Sequence, residues 1–280
     1  MWNIDVDLLY WQPQENGLEF AAEERAIHPE FDWHPGFRFG CGYRFRRDDW
    51  QVELIFTHFH AHEKGKTKGE LTPLFSNPVF FEEDSFVNKA DFKWRLHFGE
   101  FDLVLKKKIY ASLDTDITPF LGVRVACIRQ KYRIQYYGGN LFPGADDLVT
   151  TKNKFFGTGI VTGSHFNWIL GKGWQLYATG GASLLYGSFY VHQAEYADVG
   201  VEKRFGFHKT FPATAPVLDL ALGAYWERGS WNVHLGWEQH YFFGQNQWVR
   251  LTSHSGQDAY ASNLGSLSLQ GIVFGTTITF

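Results

Sequence analysis

The stretch GFRFGCGYRFRRDDWQVELIFTHFH (36–60) decides the fold. Phe37, Phe39, Cys41, Tyr43 and Phe45 alternate with Arg38, Gly40, Gly42, Arg44 and Arg46. After Arg47-Asp48 the alternation resumes, with Trp50, Val52, Leu54 and Phe56 opposite Gln51, Glu53 and Thr57. A period of two marks β-strands with one apolar face. The contrast between the faces is unusually sharp, since one is largely aromatic and the other carries full charges. The opening segment repeats it: Trp2, Ile4, Val6, Leu8 and Tyr10 share one face, and Asn3, Asp5 and Asp7 share the other.

Working outward from this hairpin, the pattern predicts ten long strands, at roughly 2–22, 36–46, 49–61, 89–110, 115–135, 154–170, 173–192, 209–227, 231–246 and 263–280. Tight turns at Arg47-Asp48, Ser112-Leu113-Asp114, Gly171-Lys172 and Arg228-Gly229 alternate with long polar connections at 23–35, 62–88, 136–153, 193–208 and 247–262. Short turns at one end and long loops at the other are expected of a transmembrane antiparallel up-and-down barrel, with the short turns periplasmic. The count becomes twelve if 72–82 forms an extra hairpin. In 89–110 the apolar set changes phase, from Phe92, Trp94, Leu96 and Phe98 to Phe101, Leu103 and Leu105, which suggests a β-bulge at Gly99-Glu100. The last strand suggests another near Gly271.

Composition agrees. Aromatics make up 18% of the 280 residues, and there are 29 Gly against 9 Pro, a mixture that favours strands with room for close approach. The mean hydropathy of -0.27 resembles that of a water-soluble protein, but a transmembrane strand needs only one apolar face. The whole chain reads as a single barrel domain. No stretch reaches 18 consecutive apolar residues, so no transmembrane helix is expected. The net charge of -4 lacks the basic surplus of a nucleic-acid binder. Cys41 and Cys127 fall on non-adjacent strands and are expected to be free thiols. No export signal precedes the first strand, so the chain is expected to be the mature part of an exported protein with a start Met added.

The chain ends GIVFGTTITF (271–280). This resembles the C-terminal signature strand that the barrel-assembly machinery recognises in outer-membrane proteins, with Phe280 as the signal. Trp2, Tyr43, Phe45, Trp50, Trp168, Trp174, Trp226 and Trp231 all flank the short turns, as an interfacial aromatic girdle requires. Together with 36–60, the segments DLLYWQPQENGLEFA (7–21) and PFLGVRVACIRQKYRIQY (119–136) resemble the Legionella-type major outer membrane protein family, also found in chlamydia-like bacteria. The resemblance spans most of the chain and rests mainly on strand patterns. It implies location in the bacterial outer membrane and a pore-forming or surface-antigen role. It brings no cofactor.

The polar face supplies the candidate site. Asp5, Asp7, Arg38, Arg44, Glu53, Asp91, Lys93, Arg95, Arg124, Asp219 and Glu238 are expected to line the lumen, with Arg46, His97, Asp102, Glu227 and His234 beside them. A midplane Arg or Lys facing lipid costs about 2–4 kcal/mol. Two readings follow: a polar conduit for small solutes or ions, or a salt-bridge lattice that fills a narrow barrel whose loops bind a partner. Ten tilted strands give a radius of roughly 10 Å, and long side chains reach ~6 Å inward, so both fit. His58, His60 and His62 share a face and suit Zn²⁺ or Cu²⁺, or simply a solvated strand extension. The run 62–70 reads as an ordinary solvated loop or a partner-binding one. For catalysis the chain offers Ser164, His165 and Asn167, with Ser164 on the wrong face, and loop pairs Asp198–His208 and His254–Asp258. None forms a self-contained site. Expected partners are outer-membrane lipid and lipopolysaccharide, the assembly machinery, small solutes and a possible second copy, but no nucleic acid.

Deleting Phe280 is expected to slow or prevent barrel insertion in cells while leaving refolding in detergent intact. Equal insertion of the two proteins in cells, followed by heat-modifiable migration on gels, would remove the signal role.

Overall fold

The computed structural model describes residues 1–45, 49–77, 85–140, 146–197, 202–251, 260–262 and 265–280. Ten long strands form the wall: β1 (Trp2–Glu15), β2 (His34–Arg44), β3 (Trp50–Pro73), β4 (Val87–Lys107), β5 (Thr115–Tyr137), β6 (Asp147–Gly171), β7 (Trp174–Ala197), β8 (Glu202–Arg228), β9 (Trp231–Asn246) and β10 (Gly265–Thr279). Each pairs antiparallel with its neighbours in chain order, and β10 pairs back onto β1. The ring closes at the rim, where the Trp2 and Phe280 backbones exchange both hydrogen bonds at 3.2 and 2.8 Å. Closure pairs the backbone groups that hydrocarbon cannot solvate. Short strand pairs decorate the ends. One of them, Ala21–Ala22 with Ala26–Ile27, docks on the outer end of β3.

The short-turn end carries the expected aromatics. Trp2, Phe45, Trp168, Trp174 and Trp231 are exposed there. Above them the outside is apolar: Val6, Leu8, Phe56, Leu103, Ile160, Leu220 and Leu222 are exposed, Leu8 and Leu222 by about two-thirds. A continuous apolar surface of this extent does not persist in water. Here it is the lipid-facing belt.

The strands outrun the belt. A tilted strand crosses hydrocarbon in about 9–11 residues, whereas β3 to β8 contain 21 to 27. Beyond the membrane the polarity inverts at constant register. On β4, Glu100, Asp102 and Val104 are buried inside the barrel and Phe101, Leu103 and Leu105 are exposed outside; further out Phe92, Trp94, Leu96 and Phe98 are the buried set. Pairing of β4 with both neighbours runs unbroken through Gly99-Glu100, so the phase change in the sequence is not a bulge. It records the passage from lipid to water. The same holds at Gly271, where the pairing of β10 is also unbroken. Gly271 serves another need: its φ of 157° is rare for other residues, and a Cβ there would meet the Tyr10 carbonyl at 2.2 Å.

This inversion corrects four lumen assignments. Asp91, Lys93 and Arg95 alternate with the buried Phe92 and Trp94, so they lie on the outer surface of the extracellular part of β4. His97 lies there too. The lengths of the loops are also corrected. The charged run 62–70 belongs to β3, with Lys64, Lys66 and Lys68 exposed and small residues Gly65, Thr67 and Gly69 facing inward. The first strand ends at Glu15 instead of 22, because the chain turns at Gly17, whose φ is 84°. The segment 72–82 adds no wall strand as far as it is described, and Arg46 lies outside the described residues. Cys41 and Cys127 are free.

With both native cysteines replaced, Arg95→Cys should react on intact cells with a charged, membrane-impermeant maleimide. Trp94→Cys should not. Labelling of position 94 alone would restore the bulge.

Candidate functional site: the lumen

Inside the membrane belt the lumen is crossed by a bar of charged side chains. Arg38 on β2 donates to Asp7 on β1 at 3.2 Å, to Thr57 on β3 at 3.2 Å and, across the barrel, to Glu238 on β9 at 2.9 Å. Arg124 on β5 grips Asp102 on β4 with two bonds of 2.9 and 2.8 Å and reaches Asp219 on β8 at 2.7 Å. Glu100 flanks it at 3.4 Å. His240 joins the two halves, 2.7 Å from Asp219 and 3.8 Å from Glu238. Paired, charge-assisted bonds of this kind are the arrangement in which buried charge is tolerated. Gly275 makes room for it, since a Cβ there would lie 2.1 Å from Asp7 Oδ1.

Toward the short turns lies a cavity of about 240 Å³. Asp5, Glu53, Lys106, Tyr177, His165 and Tyr225 are among its lining residues. Lys106 pairs with Glu53, and Thr277 donates to Asp5. Arg44, at the strand end on the same face as Arg38, is exposed at the mouth.

Toward the outside the lumen is filled. Trp11 lies against Phe59, Phe98 and His240 at ring distances of 5.3, 6.3 and 5.1 Å, and its indole donates to Glu238 at 3.1 Å. Above this layer Trp94, Tyr132, Phe155, Phe189, Phe242 and Trp248 are fully buried. The segment after β1 folds into the same space. Leu18 and Phe20 are buried, Tyr132 donates to the Leu18 carbonyl at 3.0 Å, and Gln12 donates to the Phe31 carbonyl at 2.6 Å. The sequence pattern does not reveal this core: with Asp91, Lys93 and Arg95 expected inward, Phe92, Trp94, Leu96 and Phe98 fall on the opposite, lipid-facing side, whereas the structure buries them inside. The signal was present, in the charges that replace apolar residues on the alternate face.

Three carboxyls sit in this extracellular core. Glu15 faces Gln130 and Trp94, and burial pushes its carboxyl up to about 8. Asp147 and Glu195 adjoin one another beside Ser76 and Asn77, and burial raises both above the usual carboxylate range.

Of the other candidates, His58, His60 and His62 share the outer face of β3, with His60 at 4.3 Å from the His97 ring. Among the described residues no three His, Cys, Asp or Glu gather in a metal-holding group. His165 faces inward against Thr179 at 2.8 Å, and Ser164 falls on the opposite face. Asp198, His254 and Asp258 lie outside the described residues.

The family model for the Legionella pneumophila major outer membrane protein precursor matches residues 1–280. The chain belongs to this family. No curated protein matches it. The outer membrane protease OmpT of Escherichia coli is similar in structure, with a TM-score of 0.50 and 10% identity over 100% of this chain and 96% of the protease chain. The toluene transporter TodX of Pseudomonas putida matches at a TM-score of 0.33 and 10% identity, over 96% of this chain and 66% of its own. At such identities the protease likeness speaks for the fold alone. Family and fold together place this barrel in the bacterial outer membrane.

The raised carboxyls set a pH dependence. A carboxyl with a folded-state pKa above its unfolded value stabilises fully at low pH, and that contribution is lost as pH rises through the folded value. The unfolding midpoint in detergent should therefore fall between about pH 5 and pH 8.5. Glu15→Gln, neutral throughout, should flatten the slope. A midpoint that rises over this range would contradict the assignment.

Proposed function

We propose that this protein is a closed outer-membrane barrel that presents its extracellular strands at the cell surface, rather than an open diffusion pore. The observation that supports this is the double obstruction of the lumen. The Arg38–Glu238–His240–Asp219–Arg124 bar crosses it within the membrane. Above the bar, Trp11, Phe59, Phe98 and Phe242 are at most 1% exposed. A passive conduit needs a continuous water-filled path, and side chains packed at the density of a protein interior leave none.

The porin reading has one observation in its favour, the charged cavity on the periplasmic side. It requires the segment 16–33 and the aromatic layer to move aside. The proposal contains no catalytic step. Ser164 and His165 face opposite sides, and each carboxylate–imidazole pair offered by the sequence includes a residue outside the described set.

Planar-bilayer recording separates the readings. The refolded wild type should give no single-channel steps at neutral pH. Arg124→Ala leaves Asp102 and Asp219 buried without their cation, and should lower stability by about 3–5 kcal/mol. It should still leave conductance near zero, because the aromatic layer above is untouched. Discrete, reproducible steps from wild type would establish the pore instead.

A further inference from the structure

We infer that the outer face of β3 to β6, just above the lipid belt, is a docking surface for the phosphate groups of an outer-leaflet glycolipid. The polarity inversion puts cations here on adjacent strands and in register. Lys64 lies opposite Lys93, and Lys93 opposite Arg133. One step nearer the membrane, Arg95 lies opposite Lys131, and Lys131 opposite Lys152. One step nearer again, His97 lies opposite Arg129, and Arg129 opposite Lys154. All but the partly exposed Lys152 are exposed. Among the described residues no ion pair includes these side chains; on the same face the Lys89–Asp91 pair lies one row further from the membrane.

Two features point to an anionic occupant. Like charges directly opposite on neighbouring strands destabilise a sheet, and this chain repeats the arrangement in three successive rows although its net charge is -4. Neighbouring strands are about 4.8 Å apart, and successive outward residues about 6.8 Å. A phosphate between four such positions can accept charge-assisted bonds from more than one of them.

Continuity with the belt identifies the source as lipid. The same strand faces continue toward the membrane as Phe56, Phe101, Val123 and Phe156, all exposed. A phosphorylated glycolipid can thus lay its acyl chains on the belt and its phosphates on the cations. Lys and Arg near an anionic membrane surface act additively in this way. The inference rests on the outer-membrane location and holds whether or not the lumen conducts.

The test uses the refolded protein in detergent with bis-phosphorylated lipid A, the same lipid lacking both phosphates, inorganic phosphate and heparin. The comparison variant carries Lys93→Gln, Arg95→Gln, Lys131→Gln and Arg133→Gln. Wild type should bind the phosphorylated lipid at least about tenfold more tightly than the dephosphorylated one, and the variant should lose that preference. Without lipid the variant should unfold at the same temperature or a higher one, because like-charge repulsion is gone. With phosphorylated lipid A the order should reverse. Equal binding of the two lipids by wild type overturns the inference, as does an unchanged preference in the variant. Lower stability of the lipid-free variant would make the cations structural. Displacement by heparin or inorganic phosphate at matching affinity would reassign the surface to soluble polyanions.

Discussion

A strand that crosses from lipid into water must satisfy two solvents with one backbone register. In hydrocarbon the outer side chains must be apolar, and the inner ones are free to be charged. In water the requirement reverses, because a closed ring of strands outside the membrane is a small protein domain with its own interior. Side chains at i and i+2 share a face by geometry, so the chain meets the second requirement only by exchanging residue types between faces. Residues 98 to 101 on β4 and 56 to 59 on β3 are the exchange points, and adjacent strands exchange at paired positions: Phe56 lies opposite Phe101, and Phe59 opposite Phe98.

That constraint makes the fold legible in the sequence and hides part of the site. Alternation between Phe37 and Phe56, the tight turns and the terminal GIVFGTTITF are local, so they specify strands, chain order and the membrane end without knowledge of neighbours. Asp5, Asp7, Arg38, Glu53, Arg124, Asp219 and Glu238 face inward because they lie within the lipid belt, where polar means inward. Asp91, Lys93 and Arg95 follow the same local rule on a part of the strand that has left the membrane, where polar means outward. The sequence pattern alone is symmetric under that exchange. A bulge and a change of solvent produce the same shift in apolar phase, and the pairing of both neighbouring strands is what separates them.

The cross-lumen partners within the bar are not legible, for a different reason. Arg38 and Glu238 are 200 positions apart, and Arg124 and Asp219 are 95 apart. Alternation fixes that each faces inward but says nothing about height along the axis. Height depends on the stagger of ten successive pairings. His240 is the clearest case: it drew no attention in the sequence, yet it stands between Asp219 and Glu238 and links two clusters that would otherwise be separate.

Barrel width then decides what a charged lining means. In a wide barrel inward charges face water across a channel and tune what passes. With a radius of roughly 10 Å and side chains reaching ~6 Å from each wall, inward charges meet across a chord of the ring, between strands three places apart. Arg38 spans from β2 to Glu238 on β9, and Arg124 from β5 to Asp219 on β8, so the lining has become a cross-brace. Removing one partner from such a brace strands the other in a site with little water, whereas removing a lining charge from an open channel leaves its neighbours hydrated. The same residue types therefore carry opposite implications in barrels of different girth. In the closed barrel proposed above, the charged face would close the lumen at the level of the membrane, and the aromatic core would repeat the closure in the aqueous phase above it.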